Sequence, residues 1–304
     1  MEGLISDMSS EAYHSFPNTF SSSQLKTILE DPELFYRKYI AKSIEKEEMS
    51  AFDIGTYFHT AILEPEKLSM ECAVYGGVRR GKEWTTFKEA NVGKAIITKS
   101  ELEQAETLIA AVKASTIAQS FLTKGQPEVS CFVSVYIYAG DIYAKGCVLK
   151  PDGWERIYSG DFTLAMKAGV KLVIKVRADL LGEGFILDLK STTGNCKSDH
   201  LMRSKISAYS YDLSASLYLD MFTIGSDLKY DRFLWCFASK DYGNSKTYVA
   251  SPNNVKIGRA KYKKALLLLA DNITKNWVME ESLGVLEPQF FENEWLSVKE
   301  SVEL

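Results

Sequence analysis

The order of apolar and polar positions along the chain changes character at Pro127. Before it, helical spacing dominates. Ser21-Ser22-Ser23 offers N-caps for a helix running to about Leu29, and Asp31-Pro32 restarts a second helix that runs to about Ile40. A helix with Phe58 and Ile62 on its apolar side spans roughly 53–64 and stops at Pro65. A further helix over 99–122 is entered at Thr98 or Ser100. Between them, residues 75–94 are rich in glycine and basic residues and read as an extended loop with a short helix. After Pro127 the pattern becomes that of strands rich in Val, Ile, Tyr and Phe, at 128–138, 142–149, 170–181, 184–191 and 230–239. One helix, about 203–222, separates the last two strands. A long C-terminal helix over about 254–280 places Leu266, Leu269, Ile273 and Trp277 on one stripe. With no internal repeat and no low-complexity linker, the pattern predicts one α/β domain over 21–304. It divides into an N-terminal helical lobe (21–125) and a catalytic core (126–304), preceded by a flexible lead of residues 1–20.

Composition narrows this little. The 304 residues, 46% hydrophobic and 25% charged, are those of an ordinary soluble globular protein. No apolar run approaches the length of a membrane span, and the N-terminus lacks the basic region and apolar core of a secretory signal, so a cytoplasmic protein with no membrane partner is expected. The five cysteines (Cys72, Cys131, Cys147, Cys196, Cys236) are scattered and form no CxxC, which removes zinc-finger and iron–sulfur spacing and leaves buried free thiols. A net charge of −4 argues against indiscriminate nucleic-acid binding, yet a cleft can be basic on an acidic protein.

The chemistry concentrates in residues 174–192, where Asp179 is followed by Asp188-Leu189-Lys190 on what read as two neighbouring strands. Period-2 alternation puts Asp188 and Lys190 on one face, and a turn at Gly182-Glu183-Gly184 brings that strand back beside Asp179. Hydrolysis of a phosphodiester requires charge neutralisation, an activated water and a stabilised leaving oxygen. Mg²⁺ supplies all three and prefers one or two carboxylates, which suits Asp179 and Asp188, with the Leu189 carbonyl as a further ligand. Lys190 then holds or deprotonates the attacking water. The bland reading is a surface hairpin with a cross-strand ion pair. The apolar Val173, Ile174, Val176, Leu180, Phe185, Ile186 and Leu187 weigh against it, because charges inside buried strands need a partner or a metal. Pro151-Asp152 is a decoy, with ordinary turn chemistry before Gly153. Arg79, Arg80 and Lys82 form a basic loop beside Trp84 that suits either phosphate contact with stacking or plain solvation. Lys256, Arg259 and Lys263 share a helix face that either lines a DNA channel or is solvated. His59, with Gly55 and Leu63 one turn away on either side, reads from the residues alone as a packed helix histidine or a site residue.

The ordered set resembles the PD-(D/E)xK nuclease superfamily, and within it the exonuclease VIII-like recombination exonucleases of phages and prophages. Ser23-Gln24-Leu25-Lys26 with Pro32 resembles the opening helices, and Gly55 to Pro65, containing His59, resembles the signature helix. Arg80-Gly81-Lys82-Glu83-Trp84 is similar to the basic loop, Glu128 to the early catalytic glutamate, and Asp179, Asp188 and Lys190 to the core. The resemblance implies a central mixed β-sheet flanked by helices, with a restriction-endonuclease-like core. It implies an exodeoxyribonuclease that uses Mg²⁺, with Mn²⁺ able to substitute, and degrades one strand of linear double-stranded DNA from the 5′ end to leave single-stranded DNA for recombination. It also implies that Glu128, Asp179, Asp188, Leu189 and His59 hold metal. Apart from the resemblance, Arg37 and Lys38 are candidates to hold a 5′-phosphate. The partners the resemblance implies are double-stranded DNA ends and a single-strand annealing protein, with the enzyme itself assembled as a trimeric or tetrameric ring. Two departures stand out. Ser214 occupies the place of the family's glutamine while Tyr218 keeps its tyrosine, so a contact to DNA or to the attacking water is expected to be lost or relocated there. The interval from Glu128 to Asp179 is long, which an inserted hairpin around 139–169 accounts for. An endonuclease of the same superfamily and a non-catalytic DNA-binding protein on a decayed nuclease fold are the rival readings.

Overall fold

The computed structural model describes residues 2–44, 50–226 and 228–278. The N-terminal part runs through β1 (Gly3–Ile5), α1 (Ser10–Ser15), β2 (Thr19–Phe20), α2 (Ser22–Glu30), α3 (Pro32–Phe35), α4 (Ser50–Leu63) and α5 (Leu68–Glu71). It continues with β3 (Cys72–Tyr75), α6 (Gly81–Ala90), β4 (Ala95–Thr98), α7 (Lys99–Lys113) and α8 (Thr116–Leu122). The core follows with β5 (Gly125–Tyr138), β6 (Asp141–Ala144), β7 (Cys147–Lys150), β8 (Gly153–Arg156), α9 (Ser159–Ala168) and β9 (Val170–Gly182). It ends with β10 (Phe185–Thr192), α10 (Asp199–Ala208), α11 (Tyr211–Ser226), β11 (Arg232–Ser239), β12 (Asn244–Val249) and α12 (Pro252–Thr274). Residues 279–304, assigned from sequence to the same domain and including the end of the expected last helix, lie outside the described residues.

Helix starts follow the capping chemistry in the sequence. The Gln24 side chain accepts the Ser21 N–H at 2.8 Å at the head of α2, and the Asp31 carboxylate accepts the Glu33 and Leu34 N–H groups ahead of α3. Thr98 and Glu101 close a capping box on α7, as Ser251 and Asn254 do on α12.

A mixed ten-stranded sheet runs β12-β11-β10-β9-β5-β6-β7-β8, with β1 added to β5 and β2 to β9. The β10–β11 pair is parallel, crossing over through α10 and α11, while β9 lies between β5 and β10 and is antiparallel to both. Alternating side chains bury both faces. On one side Val133, Ile174, Ile186 and Trp235 pack under α2, α3, α11 and α12. On the other, Leu187, Leu189 and Cys236 pack under α4, α7 and α8. Gly258 lets α12 reach α11, since a Cβ there would lie 2.0 Å from the Asp212 carbonyl oxygen.

Several expectations need correcting. Residues 1–20 are not a flexible lead: β1 pairs with Ser130 to Phe132 of β5, Tyr13 is buried, and the buried Lys175 ammonium donates to the Tyr13 carbonyl at 2.7 Å. The helix expected over 99–122 breaks where Ser115 caps α8, and the one over 203–222 breaks at Ser210, whose φ is +46°. The strand expected over 142–149 is a hairpin turning at Lys145-Gly146, both with positive φ. It belongs to the insertion between β5 and β9, where one was expected. The β3–β4 pair and β12 were not anticipated: β3 and β4 are only four residues each, and β12 lacks the apolar run of a buried strand.

Candidate active site

The site lies where the central sheet forks. β9 and β10 form a tight hairpin at Glu183-Gly184, with Gly184 at φ +71°, and pair through Gly182–Phe185, Leu181–Ile186 and Leu180–Leu187. Pairing then stops, while β10 remains paired to β11 as far as Thr192. Asp179 occupies the first position past the last pair and spans the gap with its side chain, its Oδ2 accepting the Leu189 N–H at 2.7 Å. On the other edge of β9 the pairs Pro127–Leu180 and Val129–Ala178 bracket Glu128, which stands opposite Asp179. Glu128 has φ +53°, left-handed backbone that costs a non-glycine residue about 1–2 kcal/mol and is retained where the surrounding ladder forces it. His59 arrives from α4, with Nδ1 3.5 Å from Asp179 Oδ2. One donor atom each from His59, Glu128 and Asp179 lies within 4.8 Å of the others.

Asp188 and Lys190 point the opposite way from the buried Leu187 and Leu189, toward α11. Lys190 Nζ sits 2.6 Å from Asp188 Oδ1 and 5.4 Å from the centre of the Tyr211 ring. Asp188 therefore does not join the three-donor group, although the sequence assigned it there. Leu189 contributes its N–H, which Asp179 accepts.

The electrostatics follow from burial among like charges. Glu128 is pushed up to about 7 by burial and then by the charge of Asp179, with Arg177 pulling it back. Burial also raises Asp188, opposed by the Lys190 charge. For Lys190, burial acts downward, but Asp188 and Asp179 outweigh it and the ammonium is held well above its usual range. Tyr218 is pushed up to about 12 by burial and by the charges of Asp188 and Asp179. Lys26 on α2, 5.2 Å from the Tyr211 ring centre, is brought down to about 8 by burial and by Lys190.

Residues 21–142 match the model of a family described as a PDDEXK-like domain of unknown function (DUF3799). The fold is similar to the crystal structure of a protein described as "Putative exonuclease" from Eubacterium rectale, at 13% sequence identity and TM-score 0.57, over 94% of this chain and 97% of that one. No curated protein matches the sequence. At 13% identity the likeness to that structure is one of fold, a large mixed sheet flanked by helices, while the family match covers less than half of the chain. The family match extends from α2 to the start of β6, so it includes His59 and Glu128 and ends before the strands carrying Asp179, Asp188 and Lys190.

Around this site, the structure sorts the remaining sequence candidates. Tyr218 faces the carboxylates from α11, and Ser214 is half-buried one turn before it. Arg79 is committed to the fold: its guanidinium holds Glu101 at 2.9 Å and donates to the Ile96 carbonyl. Arg80 and Lys82, at the start of α6, and Arg37, after α3, are exposed. Lys256, Arg259 and Lys263 are ion-paired with Asp152, Asp220 and Asp141, and Arg259 holds Asp220 through two bonds of 2.8 Å. Asp152 sits in the turn joining β7 and β8. A concavity of about 500 Å³ on α12, between Ala260 and Asp271, contains none of the site residues.

Sequence reading missed Arg177, whose Nε lies 2.6 Å from Glu128 Oε2 in an ion pair and whose Nη2 donates to the Met8 carbonyl at 2.7 Å. The Nε contact lacks hydrogen-bond alignment, so it acts through charge. The signal was present, since Arg177 and Asp179 are two apart on one strand. Nothing in the sequence, by contrast, placed Lys26 and Lys190 about the same tyrosine ring.

Proposed function

We propose that this protein is a metal-dependent DNA nuclease, and more closely a Mg²⁺-dependent exodeoxyribonuclease that hydrolyses one strand of linear duplex DNA from the 5′ end. The observation that carries the reading is the gathering of His59, Glu128 and Asp179 beside the Asp188–Lys190 pair in the sheet fork. The residues fit a divalent cation: two carboxylates and an imidazole nitrogen converge, and burial and the Asp179 charge drive Glu128 toward protonation even beside Arg177. Oxygen-dominated donors suit Mg²⁺, and the imidazole also suits Mn²⁺.

Asp179, Glu128 and His59 would hold the ion, with Asp188 and the Leu189 carbonyl as the further candidates beside them. A bound divalent cation supplies Lewis acidity toward the phosphate oxygens and a more acidic water. Asp179 is fixed by the Leu189 N–H, and Arg177 keeps Glu128 aimed at the fork. Lys190 remains an ammonium between two carboxylates, so it orients the attacking water and offsets developing charge rather than abstracting a proton. Tyr218 presents its hydroxyl to the same carboxylates. The description of the Eubacterium rectale protein favours the end-dependent reading. The exonuclease VIII-like resemblance extends it to a trimeric or tetrameric ring, a single-strand annealing partner and a role in recombination.

The test is digestion of linear duplex carrying a 5′ or a 3′ label, with Mg²⁺. Release should begin at the 5′ label, and Asp188→Ala or Lys190→Ala should abolish it. Covalently closed circular DNA should survive; its cleavage would replace the exonuclease with an endonuclease. Wild-type protein inert on every duplex end, with metal present, would sink the proposal.

A further inference from the structure

Beyond Lys190, β10 runs into a cleft of about 240 Å³ that the carboxylate group does not use. Its polar lining is the hydroxyls of residues 191–193 together with Lys205, Tyr209, Tyr211 and Lys240, and it contains no carboxylate. On a chain with net charge −4, that lining is selective for an anion. Lys205 Nζ meets only the Thr193 hydroxyl, at 3.4 Å, and among the described residues no carboxylate pairs with Lys205 or Lys240. The nearby Asp241 is turned away, accepting the Gly194 N–H at 2.9 Å.

The two tyrosines supply the second feature. Tyr209 and Tyr211 stack with ring centres 5.5 Å apart and planes 26° from parallel. Residues two apart on a continuous helix project in nearly opposite directions and cannot meet. They meet here because Ser210, at φ +46°, breaks the helix between α10 and α11. Left-handed serine is strained backbone, of a kind that persists where the surrounding structure holds it. Tyr209 is left 57% exposed, while Tyr211 reaches back to Lys190 and so joins the cleft to the site. The volume is below the ~300–1,000 Å³ of small-molecule pockets and suits one base rather than a duplex.

We propose that this cleft is the subsite for the nucleotide adjoining the scissile phosphate, with its unpaired base stacked on Tyr209 and its backbone phosphate held by Lys205 and Lys240. The assignment rests on the nuclease reading. Stacking on a tyrosine pair and point-charge phosphate contacts tolerate any base, so the subsite recognises single-stranded DNA without sequence preference.

The experiment measures binding of fluorescein-labelled oligothymidylate by anisotropy in EDTA, which separates binding from cleavage. Tyr209→Ala should weaken binding about 5- to 100-fold, with Tyr209→Phe within about 2-fold of wild type. The double variant Lys205→Gln/Lys240→Gln should make the slope of log affinity against log salt shallower by about 1.4. Tyr209 is exposed, so its truncation leaves the fold intact, which a thermal melt checks. Wild type that digests duplex with Mg²⁺ while Tyr209→Ala binds as tightly overturns the subsite and leaves the nuclease reading standing. Wild type that neither digests nor binds overturns both.

Discussion

Replacing Glu128 with glutamine should stabilise the metal-free protein at neutral and higher pH while removing its response to metal. Glu128 lies only 24% exposed, opposite Asp179 in a left-handed backbone position, and its carboxyl is pushed from 4.5 to about 7 by burial and then by Asp179. An acid whose folded pKa exceeds its unfolded value binds its proton more tightly in the native state. Stability from that source is complete below about pH 4.5 and is lost as pH rises through about 7. At 1.36 kcal/mol per pH unit, the difference is about 3 kcal/mol by pH 8. Glutamine mimics the protonated carboxyl and carries no such loss. Urea unfolding in EDTA at pH 5 and pH 8 measures it: wild type should lose about 2.5 kcal/mol more than Glu128→Gln across that interval, the rest having gone by pH 5. Millimolar Mg²⁺ at pH 8 should restore wild type, because a ligand bound only by the native state adds stability, and should leave the variant unchanged. If Glu128→Gln proves less stable than wild type at pH 8 without metal, Glu128 is a structural partner of Arg177 and the metal-site reasoning fails.

Two further predictions separate structural charges from functional ones. Lys190→Met leaves Asp188 as an unpaired buried carboxylate, so it should lose about 3–5 kcal/mol at pH 8, less as falling pH protonates Asp188, and recover most of the loss in Asp188→Asn/Lys190→Met; urea melts of the four-member cycle read this directly. Arg79→Gln should lower stability by about 1.5–3 kcal/mol through its lost bonds to Glu101 and Ile96, whereas Arg80→Gln/Lys82→Gln, at exposed positions, should leave the melting temperature unchanged and weaken DNA binding in a salt-dependent way.

The sequence by itself determined the local elements and the identity of the reactive groups. Period-2 alternation through Asp188 and Lys190 and the glycine turn at Gly184 were enough to fix the β9–β10 hairpin, because strand periodicity and turn chemistry are local. Capping residues at Ser21, Asp31, Thr98 and Ser251 marked helix starts for the same reason. Broken elements were not legible: Ser210 and Ser115 interrupt patterns that read as continuous helices, since the interruption follows from how each half packs on the sheet. Nor was the division of the acidic residues. β9 and β10 part after Leu180 and Leu187, so Asp179 stands beside His59 and Glu128 while Asp188 pairs with Lys190 and still feels the charge of Asp179. Long-range placement decided the remainder: Arg177 against Glu128 under the N-terminal segment, Lys26 beside Tyr211, and Arg79 turned inward onto Glu101 rather than outward. Each depends on two elements far apart in the chain meeting in the folded core, and no local pattern encodes such a meeting.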